Sequence, residues 1–446
     1  MHTDKDMRNG LSSLELWWFA KTHTAERAKM SVRAPVRRPS PSLLVLSVFI
    51  CVHPWFQVPA HAASRAVPRD AHTLTGIDVL EAQNFTPLAG KRIGLITNQT
   101  GADRNRRSTI DLLVHAPGVK LVALFSPEHG IRGAVDERVP SKRDVATGLP
   151  VYSLFGDDVR PSNAMLEGLD ALVFDIQDAG VRFYTYITTM GYTMEAAANH
   201  HLAYYVLDRP DPLGGDRIEG SMLDKERTNF VGYFPMPVRM AMTLGEMAQM
   251  FNAEKKIGCD LHVIPMQNWR RRDYFDDTGL PWVNPSPNLH SFRAEILYPG
   301  LEILQAGGVS VGRGTNTPFE RIGAPWMHSG AFVEEMNRRS VPGVRFAADR
   351  FTPDSGSYKG ETCEGARLVV TDRALFEPVR TGIEIAAALA KLYPGNFDVT
   401  KMIALVGNAE TIRALQAGEA PTTIVASWSE ELEVFRKMRA KYLLYQ

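Results

Sequence analysis

Cysteine is scarce in this chain, three in 446 residues, so no disulfide framework is expected and no zinc-type Cys/His spacing occurs. An excess of one charge is missing as well. The chain carries 50 Lys and Arg against 50 Asp and Glu, a balance that gives no reason to expect a nucleic-acid partner. Long apolar runs are also lacking. The conspicuous one, "LLVLSVFICV" from Leu43 to Val52, is too short to span a bilayer comfortably as a mature anchor. No G-x-G-x-x-G follows the first β-like run, so a nicotinamide cofactor is not expected. No H-x-H, H-x-x-H or H-E-x-x-H spacing marks a metal centre, and no nucleophile elbow is read for serine chemistry. No cofactor and no metal are expected.

What is present reads as a globular protein behind an export signal. Hydrophobic residues make up 44% and charged residues 22% of the chain, the profile of a domain with a packed core. Arg33, Arg37 and Arg38 precede the apolar run, and Ala60-His61-Ala62 then supplies the small-x-small pattern of signal-peptidase cleavage. Residues 1–62 are therefore read as an N-terminal extension and signal peptide, cleaved near Ala62. The mature protein is expected to be periplasmic or secreted, without stable membrane insertion; an uncleaved anchor is the alternative. Removing residues 1–62 leaves 42 basic against 46 acidic residues, a formal charge of −4. Cys259 and Cys363 remain, far apart in sequence, either paired or as two buried thiols.

From about Gly76 the chain alternates short β-branched runs with helical stretches. Strands are predicted in "KRIGLITNQTG", "KLVALFSPEHG", "LPVYSLFG", "ALVFDIQDAG", "LAYYVLDRPDPLGG" and "CDLHVIPM". Helices are predicted in "TIDLLVHAPG", "NAMLEGL", "YITTMGYTMEAAANHH" and "MTLGEMAQMFNAEKK", the last with Thr243 as N-cap and Glu246 at capping-box spacing. Apolar residues at successive strand positions point to a parallel sheet covered by helices on both faces. The expected fold is α/β: a Rossmann-like parallel-sheet domain over residues 70–326, followed by a second, smaller α/β domain over 327–446. The last part of the first domain holds long Gly/Pro/Asn-rich segments that are expected to be binding loops.

In such a sheet, ligands bind beyond the carboxyl ends of the strands. Here those ends are unusually polar: Asn98 and Gln99; Glu128, His129 and Arg132; Gln177, Asp178 and Arg182; then Asp208, Arg209 and Asp211. One polar strand end often only caps a helix. Four in one sheet point to a crevice of acids, arginines and tyrosines. Glu128 and Asp178 are the candidate catalytic carboxylates, whereas Asp175, inside its strand, reads as structural. Arg182 is expected to grip a carboxylate, and Tyr184 and Tyr186 suit sugar faces or core packing. His129 reads as a hydrogen-bonding residue rather than a ligand. Asn288 and Arg313, in the Gly/Pro/Asn-rich segments, complete the candidate substrate-binding residues.

Seven stretches in order, "GLITNQTG", "LFSPEHGIRG", "GLPVYSLFG", "DIQDAGVRFYTY", "LDRPDPLGG", "VGRGTNTPFERIGAPW" and the "YLLY" ending, resemble the exo-β-N-acetylmuramidase family NamZ, glycoside hydrolase family 171, formerly a domain of unknown function. The resemblance covers the chain from about Gly76 to Tyr445. It implies a cleft between a Rossmann-like domain and a smaller one, and removal of N-acetylmuramic acid from the non-reducing end of peptidoglycan fragments. It also gives Arg132, Arg182 and Arg209 a carboxylate to hold, that of the lactyl ether. One stretch departs from the family pattern: Arg239-Met240-Ala241-Met242-Thr243 stands where relatives commonly read Arg-His-Gly-Met-Thr.

Glycoside hydrolysis needs an acid at the leaving oxygen and a second group at the anomeric carbon. Glu128 is expected to be the general acid, its pKa raised by burial. Asp178 is then the base of an inverting reaction or the nucleophile of a retaining one, and attack by the substrate's own acetamido group is a third route. Two other classes stay open. A catalytically silent periplasmic binding protein would tolerate loss of Glu128, and a metal-dependent hydrolase using Glu128, His129 and Asp178 would be sensitive to chelators.

Overall fold

The polar strand ends gather because the strands that carry them lie side by side. The computed structural model describes residues 72–133, 141–156 and 158–446; the signal segment and its cleavage site lie outside the described residues. The central strands are β1 (Arg92–Thr97), β2 (Lys120–Ser126), β3 (Lys142–Arg143), β4 (Pro150–Ser153), β5 (Ala171–Asp175) and β6 (Ala203–Leu207). After a separate antiparallel ribbon of β7 (Glu219–Met222) and β8 (Pro237–Arg239), the sheet is completed by β9 (Asp260–Ile264). The order is β3-β4-β2-β1-β5-β6-β9, parallel throughout except for the short edge pair β3–β4. Sequence order reverses direction on either side of β1. The β1/β5 boundary is therefore the topological switch point where a doubly wound sheet opens a crevice.

Helices cover both faces, as the continuous apolar strands require. Leu172 and Phe174 of β5 join one buried cluster with Phe125 and Met190, while Ala171 and Val173 point the other way into a cluster with Ile77, Leu80 and Leu113. Apart from Phe125 of β2, those partners come from α1 (Gly76–Ala82), α2 (Thr109–Val114) and α3 (Thr185–Asn199). Each fully buried aliphatic side chain contributes about 2 kcal/mol. The helix α4 (Leu244–Glu254) starts as the sequence reads: Thr243 Oγ1 accepts from Glu246 N at 3.2 Å, and the Glu246 carboxylate accepts from Thr243 N at 3.1 Å.

The segment after β9 is less irregular than its glycines and prolines suggest. It contains α5 (Phe292–Gln305), a helix with Pro299 inside it. Pro299 has no N–H to give the turn behind it, a cost that packing offsets. Its neighbour Gly300 lies against α7 (Pro378–Leu392), where a Cβ on Gly300 would stand 1.9 Å from Pro378 O and one on Gly382 would stand 2.4 Å from Gly300 O. Only paired glycines allow the two backbones this approach. The antiparallel sheet β10-β12-β11, from β10 (Arg321–Ala324), β11 (Val344–Phe351) and β12 (Cys363–Val370), carries α6 (Ser329–Arg339). Its Ile322, Phe346 and Leu368 belong to the same apolar cluster as Phe125 and Phe174, so both sheets share one core.

Two expectations gain detail. Cys259 and Cys363 are unpaired and buried, and burial pushes their thiols up to about 12 and about 11. The string Gly308-Val309-Ser310-Val311-Gly312 does satisfy G-x-S-x-G spacing, which corrects the reading that the pattern is missing. Yet Ser310 is buried in an isolated bridge to Gly323 and accepts from Gly312 N at 3.2 Å, so it forms no exposed strand-to-helix elbow. Among the described residues no helix is long and apolar enough to cross a membrane.

Candidate active site

At the switch point, the Asn98 and Thr100 side chains tie the end of β1 to the backbone at the end of β5. Gln177 N donates to Thr100 Oγ1 at 2.9 Å, and Thr100 Oγ1 donates to Asn98 Oδ1 at 2.5 Å. Gln177 Nε2 reaches on to Pro210 O after β6, at 2.8 Å. Gln99 Nε2 donates to Asn284 O at 2.7 Å, which pins the proline-rich segment over the strand ends. Asn98, Gln99 and Gln177 thus fix the rim, each through hydrogen bonds the fold itself uses.

On the other side of β1, the end of β2 turns sharply. His129 has φ +69° and Gly130 φ +73°, a pair of left-handed residues that ends the strand direction abruptly. Glu128 is 7% exposed. Its Oε2 accepts from Thr185 Oγ1 at 2.5 Å, so the first residue of α3 orients it. Its charge also helps raise the pKa of Tyr186 and of Tyr298, which sets Glu128 among these phenols.

Asp178 lies after β5 and is 5% exposed. Its Oδ2 accepts from Gly180 N at 2.8 Å, while Oδ1 is buried with no partner among the described residues. Gly180 has φ +70°, and a Cβ there would stand 2.6 Å from Asp211 Oδ1, so glycine is required for the Asp178 and Asp211 loops to meet. Burial first, and then the nearby Asp211 charge, push the Asp178 carboxyl up to about 8 against two opposing backbone hydrogen bonds. At neutral pH it holds its proton. Asp211 is pushed up to about 6 by burial, with Arg239 and the Leu213 N–H opposing.

A fourth acid belongs here that sequence reading missed. Glu295 of α5 is fully buried, and among the described residues neither carboxyl oxygen has a partner. Burial, reinforced by the charges of Asp178 and Asp211, raises its pKa well above the usual carboxylate range. The only signal in the sequence is an acid amid the apolar residues of "FRAEILYPG". Thr185, the Glu128 partner, was also missed, although it lies inside the "RFYTY" motif.

The arginines divide differently from expectation. Arg182 is 1% exposed, and its Nη atoms donate to Ser221 O, Met236 O, Leu405 O and Val406 O at 2.7–3.0 Å. Burial lowers its pKa to about 9. This corrects its expected grip on a substrate carboxylate: both Nη atoms clamp distant parts of the backbone together, and Nε is buried with no partner among the described residues. Arg209 forks onto Asp175 at 2.6 and 3.0 Å, and Thr109 Oγ1 bonds the same carboxylate, which makes Asp175 the structural residue it was read to be. Arg132 is 65% exposed in its side chain and pairs with Asp144 at 3.1 Å. Arg313 pairs with Glu302 at 2.9 Å, and Asn288 is half-buried in the proline-rich segment.

Tyr184 and Tyr186 are buried edge to face, with ring centroids 4.8 Å apart, and Tyr186 OH donates to Pro285 O at 2.7 Å. They form the floor beneath the site, a correction to any role as an exposed sugar-stacking face. Met240 is fully buried in the apolar core. Among the described residues no group of three or more His, Cys, Asp or Glu side chains is arranged to hold a metal ion.

The N-terminal family model of "Exo-beta-N-acetylmuramidase NamZ" matches residues 93–293 and the C-terminal model residues 296–445. The chain is 44% identical to "Peptidoglycan beta-N-acetylmuramidase NamZ" of Bacillus subtilis (strain 168), over 83% of this chain and 91% of that protein. Two crystal structures of DUF1343 family proteins from Bacteroides fragilis NCTC 9343 share the fold. The first has a TM-score of 0.80 at 37% identity, covering 85% of this chain and all of the other. The second has a TM-score of 0.71 at 31% identity, covering 84% of this chain and 99% of the other. Matched along both halves and by a relative of nearly the same length, the chain belongs to the exo-β-N-acetylmuramidase NamZ family.

Proposed function

We propose that this chain is an exo-acting glycoside hydrolase that releases N-acetylmuramic acid from the non-reducing end of peptidoglycan fragments during cell-wall turnover. The observation that carries the reading is the 44% identity to a peptidoglycan β-N-acetylmuramidase over 91% of that protein. The buried carboxyls Glu128 and Asp178, which follow the two strands flanking β1 at the switch point, support it. The apolar run from Leu43 to Val52 and the Ala60-His61-Ala62 site support export to the periplasm or beyond, where such fragments arise.

The catalytic roles are exchanged relative to the sequence expectation. Asp178 is the general acid, because burial keeps its proton on at neutral pH. It passes that proton to the departing sugar oxygen. Glu128, oriented by the Thr185 hydroxyl, acts from the other side of β1 at the anomeric centre. Asn98, Gln99, His129 and Gln177 shape the rim that receives the sugar.

The test is to incubate the purified protein with a chromogenic β-N-acetylmuraminide and with its β-N-acetylglucosaminide counterpart. Cleavage of the muraminide in preference to the glucosaminide is expected. Cleavage of neither, by a folded protein, would reject the enzyme reading and favour the binding-protein one.

A further inference from the structure

With Arg182 consumed inside the fold, the carboxylate of a muramic-acid substrate needs another partner. A small, partly open cleft adjoins the site, with Gln177 in its wall beside Asp178 and with Arg106 and Arg209 among its lining. Arg209 is 6% exposed. Its Nε and Nη2 are taken by Asp175 and Ala102 O, and among the described residues Nη1 has no hydrogen-bond partner. Arg106 is exposed, held by a left-handed turn at φ +65°, and its guanidinium pairs with nothing among the described residues. The acids nearby do not cancel it. Asp103 accepts from Arg107 Nε at 2.7 Å and from two backbone N–H groups, and Asp175 is paired with Arg209. Phe275, Leu280 and Val283 line the opposite character of wall, apolar and close to the two cations.

We propose that Arg106 and the free Nη1 edge of Arg209 form a subsite for an organic carboxylate borne on a small apolar stem, and that its occupant is the lactyl arm of N-acetylmuramic acid. The identity of the occupant rests on the proposed muramidase reading; the cation pair and its apolar wall do not. Arg209 supplies a rigid donor, because its other nitrogens are already anchored. Arg106 supplies the uncompensated charge. A neutral sugar without the lactyl arm leaves both unmet, so the subsite distinguishes muramic acid from glucosamine by a charge-assisted contact.

The experiment is calorimetric titration of the protein with N-acetylmuramic acid, its lactyl methyl ester, N-acetylglucosamine and a free alanyl-glutamate dipeptide. Wild type and the Arg106→Ala and Arg209→Lys variants are compared, with circular dichroism as the check on folding. Wild type is expected to bind N-acetylmuramic acid at least about tenfold more tightly than the ester or N-acetylglucosamine. Arg106→Ala is expected to erase that preference while N-acetylglucosamine binding stays as it was, and Arg209→Lys to reduce it. Unchanged discrimination in Arg106→Ala, or none in the wild type, would overturn the subsite. If Arg106→Ala instead loses the dipeptide and keeps the sugar preference, the carboxylate belongs to a peptide stem and the lactyl assignment falls. Hydrolysis of the chromogenic muraminide is read separately. Selective binding through Arg106 without hydrolysis sinks the activity and leaves the subsite; hydrolysis with a silent Arg106→Ala does the reverse.

Discussion

Asp178 and Glu295 show how burial, reinforced by neighbouring acids, sets chemistry. Both carboxyls leave water for an environment with few compensating donors, and the charged form is what burial penalises. An acid that must donate a proton needs Asp178 protonated, so kcat/KM is expected to fall as the pH rises through about 8, the value to which the Asp178 carboxyl is pushed in the ligand-free protein. A pH profile flat to well above that value would show that another group supplies the proton. Glu295, whose charged form burial disfavours and whose carboxyl has no hydrogen-bond partner among the described residues, is expected to tolerate the isosteric neutral replacement. Glu295→Gln should keep turnover within about threefold, whereas a residue acting as a carboxylate base or nucleophile would lose at least about a hundredfold. Steady-state kinetics on the muraminide decide between these outcomes. Glu128 and Asp178 were legible because each follows an apolar run that stops abruptly. Their division of labour was not, because it depends on how deeply the fold buries Asp178 and on Asp211, which reaches the site from the loop after β6.

The elements follow the same rule of local signal against distant partner. The capping box of Thr243 and Glu246 lies within four residues and could be read directly. The strand runs were likewise visible, since two helix-covered faces demand apolar residues at every position. Helix α5 was not visible, because "YPG" is locally a helix breaker and its compensation is the close crossing with α7 at Gly300 and Gly382. Arg182 was misread for a related reason: two of its four acceptors are Leu405 O and Val406 O, more than 200 residues away. A Gly300→Ala substitution places a methyl group against Pro378 O, which backbone cannot yield cheaply. It is expected to destabilise the protein by about 3 kcal/mol or more, as read from the midpoint of denaturant unfolding. An unchanged midpoint would mean the two helices separate freely.

Across the whole molecule, several buried acids share the sign of their shift. Asp178 is pushed up to about 8, Glu219 to about 7, and Asp208 and Asp211 to about 6, each chiefly by burial. Between the ordinary carboxylate range and these values the folded chain keeps protons that the unfolded chain has released. Unfolding then sheds protons, so stability falls as the pH rises through that window. Glu335, lowered to about 2 by its Arg and Lys partners despite some burial, acts below the window and does not reverse the trend. The melting temperature is expected to decline from about pH 5 to about pH 8, and Asp178→Asn to flatten part of the slope. A melting temperature that climbs across this interval would contradict the assignment of these acids as proton-bearing.

The division of roles between Asp178 and Glu128 is tested most directly by changing the leaving group. An acid that protonates the departing oxygen matters most when that oxygen is a poor leaving group. Asp178→Asn and Glu128→Gln are therefore each assayed on a muramyl-glucosamine disaccharide and on an activated aryl β-N-acetylmuraminide. The expected result is that Asp178→Asn loses at least about a hundredfold on the disaccharide and far less on the aryl substrate, while Glu128→Gln loses at least that much on both. Equal losses for Asp178→Asn on both substrates, or wild-type hydrolysis of the disaccharide by either folded variant, would contradict it.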